Sequence, residues 1–232
     1  MWRELTASPV FGVVLTLGVY QLTVAIARRA RGRAIANPIL WSVVLIVALL
    51  LLTGTPVEEY ARGGDIVAFF LGPATVALAL PLHRQLDRIK EALVPILAAS
   101  LLGASAAVLI GVWVTGALGG STEIIASMAP KSATTPVALA ISESVGGIPA
   151  LTAALVILTG VLGAVAGPGL LTLLRIRNEL ARGLAMGISG HGIATARALT
   201  ESQTAGAFSA LAMALSAVIT PAVVAAVLPL LL

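Results

Sequence analysis

The sequence predicts an all-α polytopic membrane protein, a bundle of about seven or eight membrane segments in which some helices are broken or re-entrant. Three observations predict it. The chain of 232 residues is 59% hydrophobic and only 10% charged, with a mean hydropathy of +1.06, too apolar for a soluble domain that must cover itself with polar surface. Its apolar residues are mostly Ala, Val and Leu, with 23 Gly, and such small side chains let helices approach closely in a membrane. Its apolar runs are long rather than alternating, which argues against an outer-membrane barrel.

The charges cut a single domain, 1–232, into pieces of spanning length. The run 9–27 is followed by Arg28, Arg29, Arg31 and Arg33. Positive charge after the apolar run, not before it, marks a retained first helix with its N-terminus outside. The second segment is 38–55, and Glu58, Glu59, Arg62 and Asp65 read as a mixed external loop. The third, 65–82, is interrupted at Leu71, Gly72 and Pro73, and His83, Arg84, Asp87, Arg88, Lys90 and Glu91 return the chain to the cytoplasm. Segments at 91–118, 121–144, 148–174, 179–200 and 203–231 follow. Pro130 and Pro136 break the fifth; Gly183, Gly187, Gly190 and Gly192 perforate the seventh, with Asn178 as its cap. If every segment crosses fully, Arg175, Arg177 and Arg182 fall outside, against the positive-inside tendency; if 121–144 dips in and leaves on the same side, they fall inside. Both topologies are open at this point. The pair ATVALAL (74–80) and TPVALAI (135–141), each beside a proline, suggests an internal repeat, and paired broken segments point to a transporter site. The chemically plain pieces 9–55 and 203–231 read as scaffold and dimer face, and 65–200 as a transport core.

Lys131 is the only charge between Glu123 and Glu143. An ammonium at membrane depth costs a few kcal/mol, about 2.5–3.5 on insertion scales, so something must offset it. One reading is a carboxylate cradle: Lys131 with the hydroxyls of Ser132, Thr134 and Thr135 and the N-terminal end of the following half-helix. The other is that Lys131 snorkels to an interface or pairs with Glu123 or Glu143. The second candidate is GISGHGIATARAL, 187–199. His191 lies between Gly190 and Gly192, with Ser189 and Thr195 beside it, and an imidazole there serves as a solute donor or proton relay, or bonds across a helix contact. Arg197 reads as a carboxylate clamp, or as a partner for a lipid headgroup or Glu201. Glu143 is a second proton-relay candidate if desolvated, and otherwise a loop charge.

Other chemistries are poorly supported. The chain has no cysteine, no paired His/Glu spacing for a metal, no phosphate-binding loop and no serine-histidine-aspartate set. We therefore expect no enzyme, no cofactor and no metal. The net charge of +4 sits in clusters beside apolar runs, which fits a lipid bilayer rather than nucleic acid. A solute carrier without an energy-transducing motif runs on an ion gradient or by exchange.

The stretch MAPKSATTPVALAISESVGGIPALTAALVILTGVLGAVAG (128–167), followed by ARGLAMGISGHGIATARAL (181–199), resembles the LrgB/CidB family of antiholin-like membrane proteins. It is also similar to the C-terminal domain of the plant plastidial glycolate/glycerate translocator. The resemblance is specific over 72–199 and loose in the first two helices. It implies two roles. One is modulation of a holin-type partner, a small LrgA/CidA-type membrane protein, and of murein hydrolase activity. The other is secondary transport of small monocarboxylates of the glycolate, glycerate or pyruvate class, proton-coupled or exchanging, through crossed and broken helices in an elevator-type bundle. It implies a bacterial inner (cytoplasmic) membrane location, and with the plain scaffold helices a homodimer. The carrier role is favoured, because a buried cation, hydroxyls and a histidine beside helix breaks suit an anion carrier better than a plug.

Overall fold

In the computed structural model the described residues are 6, 8–29, 38–70, 73, 76–77 and 79–231, and the long elements among them are all α-helices. The chain divides into two compact units, Met1–Ala77 and Leu78–Leu232.

The first unit contains α1 (Pro9–Arg29), α2 (Pro38–Thr53) and α3 (Val57–Phe69). Gly12 of α1 and Gly63 of α3 face each other so closely that a Cβ on either would strike the other helix's backbone. Hydroxyls complete the packing: Thr16 to Tyr60 at 2.8 Å, and Thr23 to Ser42 of α2 at 2.8 Å. Gly54, at φ +62°, turns the chain between α2 and α3. Here the structure corrects two expectations. Glu58, Glu59, Arg62 and Asp65 are not a loop but lie in α3, because their spacing gathers them on one helical side and leaves the other apolar. The segment 65–82 is not one helix either: α3 ends at Phe69, and the chain later resumes as α4 (Ala79–His83) and α5 (Leu86–Glu91). Of the expected break, Leu71 and Gly72 lie outside the described residues, and Pro73 is helical and exposed.

The second unit continues with α6 (Leu93–Ala117), α7 (Thr122–Met128), α8 (Thr135–Ser144), α9 (Pro149–Leu173), α10 (Glu179–Glu201) and α11 (Gln203–Leu231). Among the described residues, four helices are long and apolar enough to cross a membrane: α1, α6, α9 and α11; α2, at 16 residues, is shorter. Of the seven or eight membrane segments expected, four helices among the described residues have full spanning character. Two segments double back: 121–144, for which the sequence leaves both topologies open, and 179–200, which the sequence reads as a crossing.

The first is 121–144. α7 and α8, of 7 and 10 residues, are each far shorter than the roughly 30 Å of a bilayer core. Continued in one direction, Ser127 and Ser142 would stand roughly 20 Å apart. Instead the Thr152 hydroxyl donates to the Ser127 carbonyl at 3.1 Å and to the Ser142 hydroxyl at 2.7 Å. The chain at 129–134 is therefore the tip of a hairpin whose second leg returns along the first.

The second is α10. Its backbone leaves helical geometry at Gly190 (φ −132°, ψ 17°) and His191 (φ 40°, ψ −134°). A straight helix would separate Arg182 from Glu201 by about 28 Å. They form a bidentate ion pair, Nε to Oε2 at 2.9 Å and Nη2 to Oε1 at 3.1 Å. Legs 179–189 and 192–201 therefore lie antiparallel, with Gly190 and His191 at the tip. Gly183 and Gly187 are not breaks, as the sequence suggested; they admit α11, whose Ala205 and Ser209 carbonyls occupy the space where a Cβ would go.

Directions follow from packing. Ile96 clusters with Phe208 and Ala212, and Val108 and Val112 cluster with Val224 and Leu228, so α6 and α11 run parallel. α9 begins beside the base of the first hairpin, where Ser127 Oγ accepts from the Ile148 N–H at 2.7 Å, and runs the opposite way. Arg175, Arg177 and Arg182 thus share one end of the unit with Arg84, Arg88 and Lys90. Arg88, Glu91, Asn178, Glu179 and Thr204 line one pocket at that end. The doubling back removes the conflict with the positive-inside tendency.

Candidate functional site

One face of α9 carries both hairpins. Thr152, Val156, Gly160 and Gly163 recur at helical spacing along it. Thr152 fastens the base of the first hairpin, as above. Val156 packs its side chain against Ala133, in the first tip, and Ala138. Its carbonyl oxygen lies 3.0 Å from His191 Nε2, in the second tip. A Cβ on Gly160 would stand 2.8 Å from the imidazole Cε1, and one on Gly163 3.2 Å from the Gly190 Cα. Glycine at both positions lets the second tip sink onto α9. The breaks at 130–136 and 187–192 therefore approach each other across a single residue, Val156.

Lys131 reaches the other way, onto α6. Its ammonium donates to the Ala107 carbonyl at 2.9 Å and occupies the space beside Gly111 that a Cβ would need. Ala107 lies 14 residues from one end of the 25-residue α6 and 10 from the other, which places the cation near mid-span. It makes no ion pair with Glu123 or Glu143, so the pairing expected as an alternative does not form. Glu143 is exposed in the last turn of α8.

The tip hydroxyls divide into committed and uncommitted groups. Ser132 is buried, and Thr134 and Thr135 are half-buried at the start of α8; none of the three hydroxyls bonds another described residue. Thr134 stands at the N-cap position without capping, and Pro136 stands in the first turn, where its missing N–H costs nothing. In the second hairpin, by contrast, Thr195 donates to the His191 carbonyl at 2.7 Å and meets the Ser209 hydroxyl at 2.8 Å. Ser189 is exposed and bonds the Ala185 carbonyl, and Gly192 is exposed. Because Val156 offers only an acceptor, His191 carries its proton on Nε2 and leaves Nδ1 uncommitted.

Arg197 bonds Thr200 at 2.6 Å and does not join Lys131 or His191. Its expected alternative partner, Glu201, belongs to Arg182, which also donates to the Ile176 carbonyl at 3.1 Å and the Pro168 carbonyl at 3.2 Å. Asn178 accepts from the Ala181 N–H at 3.1 Å, as a helix cap. Sequence reasoning missed Ser127, Ser142, Thr152, Val156, Arg182 and Ser209. The available signal was the series of small and hydroxyl residues at helical spacing along α9, at Thr152, Gly160 and Gly163. Among the described residues no group of three or more His, Asp or Glu is placed to hold a metal ion.

Comparison with known proteins covers nearly the whole chain. No solved structure matches. The chain is 34% identical over 224 residues, 97% of both chains, to an antiholin-like protein LrgB of Bacillus cereus (strain B4264). It is equally similar, over the same share of both chains, to an antiholin-like protein LrgB of Bacillus anthracis (strain A0248). The profile of the LrgB-like family matches residues 16–230. This multi-pass membrane protein belongs to the LrgB-like family.

Proposed function

We propose that the protein is an antiholin-like membrane protein that acts with a small LrgA-type membrane partner to restrain a holin-type pore and murein hydrolase activity. The observation that carries this reading is the similarity over 97% of both chains to relatives named antiholin-like. In this reading the chain works without catalysis, in the bacterial inner membrane, with the basic end of its second unit in the cytoplasm. Both hairpins are then re-entrant, the first entering from outside and the second from inside. The test is autolysis of bacteria carrying the chain with and without the small partner. Slower lysis and less released murein hydrolase activity are expected with both proteins present. Lysis unchanged at equal expression would contradict the reading.

A second reading has its own observation in support: an ammonium at mid-span without a carboxylate, carried by a tip that also holds three uncommitted hydroxyls. An unpaired intramembrane cation points to an anion path. In this reading the protein is a secondary transporter of small monocarboxylates such as glycolate, glycerate or pyruvate. Lys131, Ser132, Thr134 and Thr135 hold the carboxylate, and His191 Nδ1 contacts the solute or relays a proton. Ser189, Gly190, Gly192 and Thr195 shape the second tip, and Arg197 and Glu143 have more remote roles in binding and proton relay. A homodimer built on the plain helices, with elevator-type movement of the core, completes this reading. Counterflow in liposomes holding this protein alone tests it: labelled glycolate, glycerate or pyruvate enters only against its own trapped kind. Absence of exchange for all three leaves the first reading standing.

A further inference from the structure

The returning legs of the two hairpins share a sequence. Residues 138–144 read ALAISES and residues 196–202 read ARALTES, 58 positions later. Two alanines, the glutamate and the final serine are identical; Ile141 answers Leu199, and Ser142 answers Thr200. Met128 and Met186 stand at the same offset. So do Ala133 and His191, the two tip residues that meet Val156 from either side. Each hairpin follows a 25-residue span, α6 or α9, and those spans run in opposite directions. This is one span-plus-hairpin pattern used twice in inverted topology. The pairing of 74–80 with 135–141 suggested by the sequence falls partly outside the described residues.

The two copies differ in how they are fastened. The second hairpin is closed at its base by Arg182 and Glu201, whose side chains are only 14% and 17% exposed, and Arg182 also ties it to α9. At the same offset the first hairpin has Ile124 in place of Arg182, and Glu143, the counterpart of Glu201, is exposed without a cation opposite. Its base is held by neutral hydroxyl bonds to Thr152 and Ser127. Among the described residues, its only polar side-chain tie at the tip is the single bond from Lys131 to the Ala107 carbonyl.

We infer that the first hairpin is the moving gate of this inverted pair and Lys131 its latch on α6. It opens towards the face where Glu143 lies, while the second hairpin stays fixed on α9 and α11. The gate goes beyond both functional readings and is the same whether the chain moves a solute or restrains a partner.

The chain contains no cysteine, so single thiols report on the gate directly. Ser132→Cys and, separately, Gly192→Cys are placed in the full-length protein in oriented liposomes and treated with a charged, membrane-impermeant thiol reagent. Labelling of Ser132→Cys is expected from the Glu143 face, accelerated about tenfold or more by Lys131→Met, since a charge-assisted bond then no longer holds the tip. Gly192→Cys labelling is expected to be unchanged by Lys131→Met. Acceleration from the basic face, no acceleration at all, or equal acceleration at both thiols overturns the inference. Hydrogen–deuterium exchange of the unmodified protein is a check that needs no variant. Faster exchange across 129–134 than across 186–192 supports the gate, and equal or slower exchange overturns it.

Discussion

The two hairpins of the second unit solve one problem with different chemistry. Each must reverse a helix where few solvent molecules satisfy the backbone, and each does so with its tip on α9. The second uses charge at its base and glycine along its legs: Arg182 with Glu201, then Gly183 and Gly187 beneath α11 carbonyls. The first uses hydroxyls at its base and keeps its one cation, Lys131, for the tip. A hairpin closed by an ion pair and close backbone contact is costly to open, whereas one closed by hydroxyls opens more easily. The difference teaches that where a charge sits along a hairpin, more than how many it has, decides whether the hairpin serves as frame or as moving part.

Substitutions that enlarge the second hairpin's glycines break this comparison most strongly. Gly187→Val puts two methyl groups against the Ser209 backbone and is expected to cost at least about 3 kcal/mol, read as a large loss of Tm in detergent. A Tm within a degree of the parent would mean that the legs are not seated on α11. Next comes Arg182→Ala, which leaves half-buried Glu201 without its charged hydrogen-bond partner, at a cost of about 2–3 kcal/mol. Arg182→Ala with Glu201→Ala together should recover much of that loss, and the double-mutant cycle in chemical denaturation measures the coupling. In the first hairpin Thr152→Val keeps the volume but removes a shared donor, for about 1–2 kcal/mol. Equal losses for Arg182→Ala and Thr152→Val would erase the distinction between the two bases. The smallest effect belongs to the cap: Asn178→Ala should cost about 1 kcal/mol in the same measurement.

Much of this fold was legible wherever the cause was local. Long apolar runs mark α1, α6, α9 and α11, and Pro130 with Pro136 marks the first break. The stranded arginines 175, 177 and 182 already favoured the version in which 121–144 doubles back. Asn178 before Glu179 reads as a cap, and its bond indeed lies only three residues away, at the Ala181 N–H. What was hidden depends on partners distant in sequence. Gly183, Gly187 and Gly190 look alike in the sequence, yet two admit the α11 backbone and one turns the chain. Arg182 and Glu201 are 19 residues apart, a separation that no helical periodicity connects. Val156 is one apolar residue among many on α9, and only the fold gives its carbonyl to His191 and its side chain to Ala133. Lys131 stands out in the sequence as a lone charge in an apolar setting, but its partner, a backbone carbonyl of α6, has no signature there.

The account rests on two hairpins entering from opposite faces, and single cysteines at Glu143 and Gln203 test it directly, labelled from each side of oriented vesicles. Doubling back of α10 predicts that Glu143→Cys and Gln203→Cys react from opposite faces, with Gln203→Cys on the same face as Arg84→Cys. Reaction of Glu143→Cys and Gln203→Cys from one face would mean that α10 crosses the membrane, which would contradict the account.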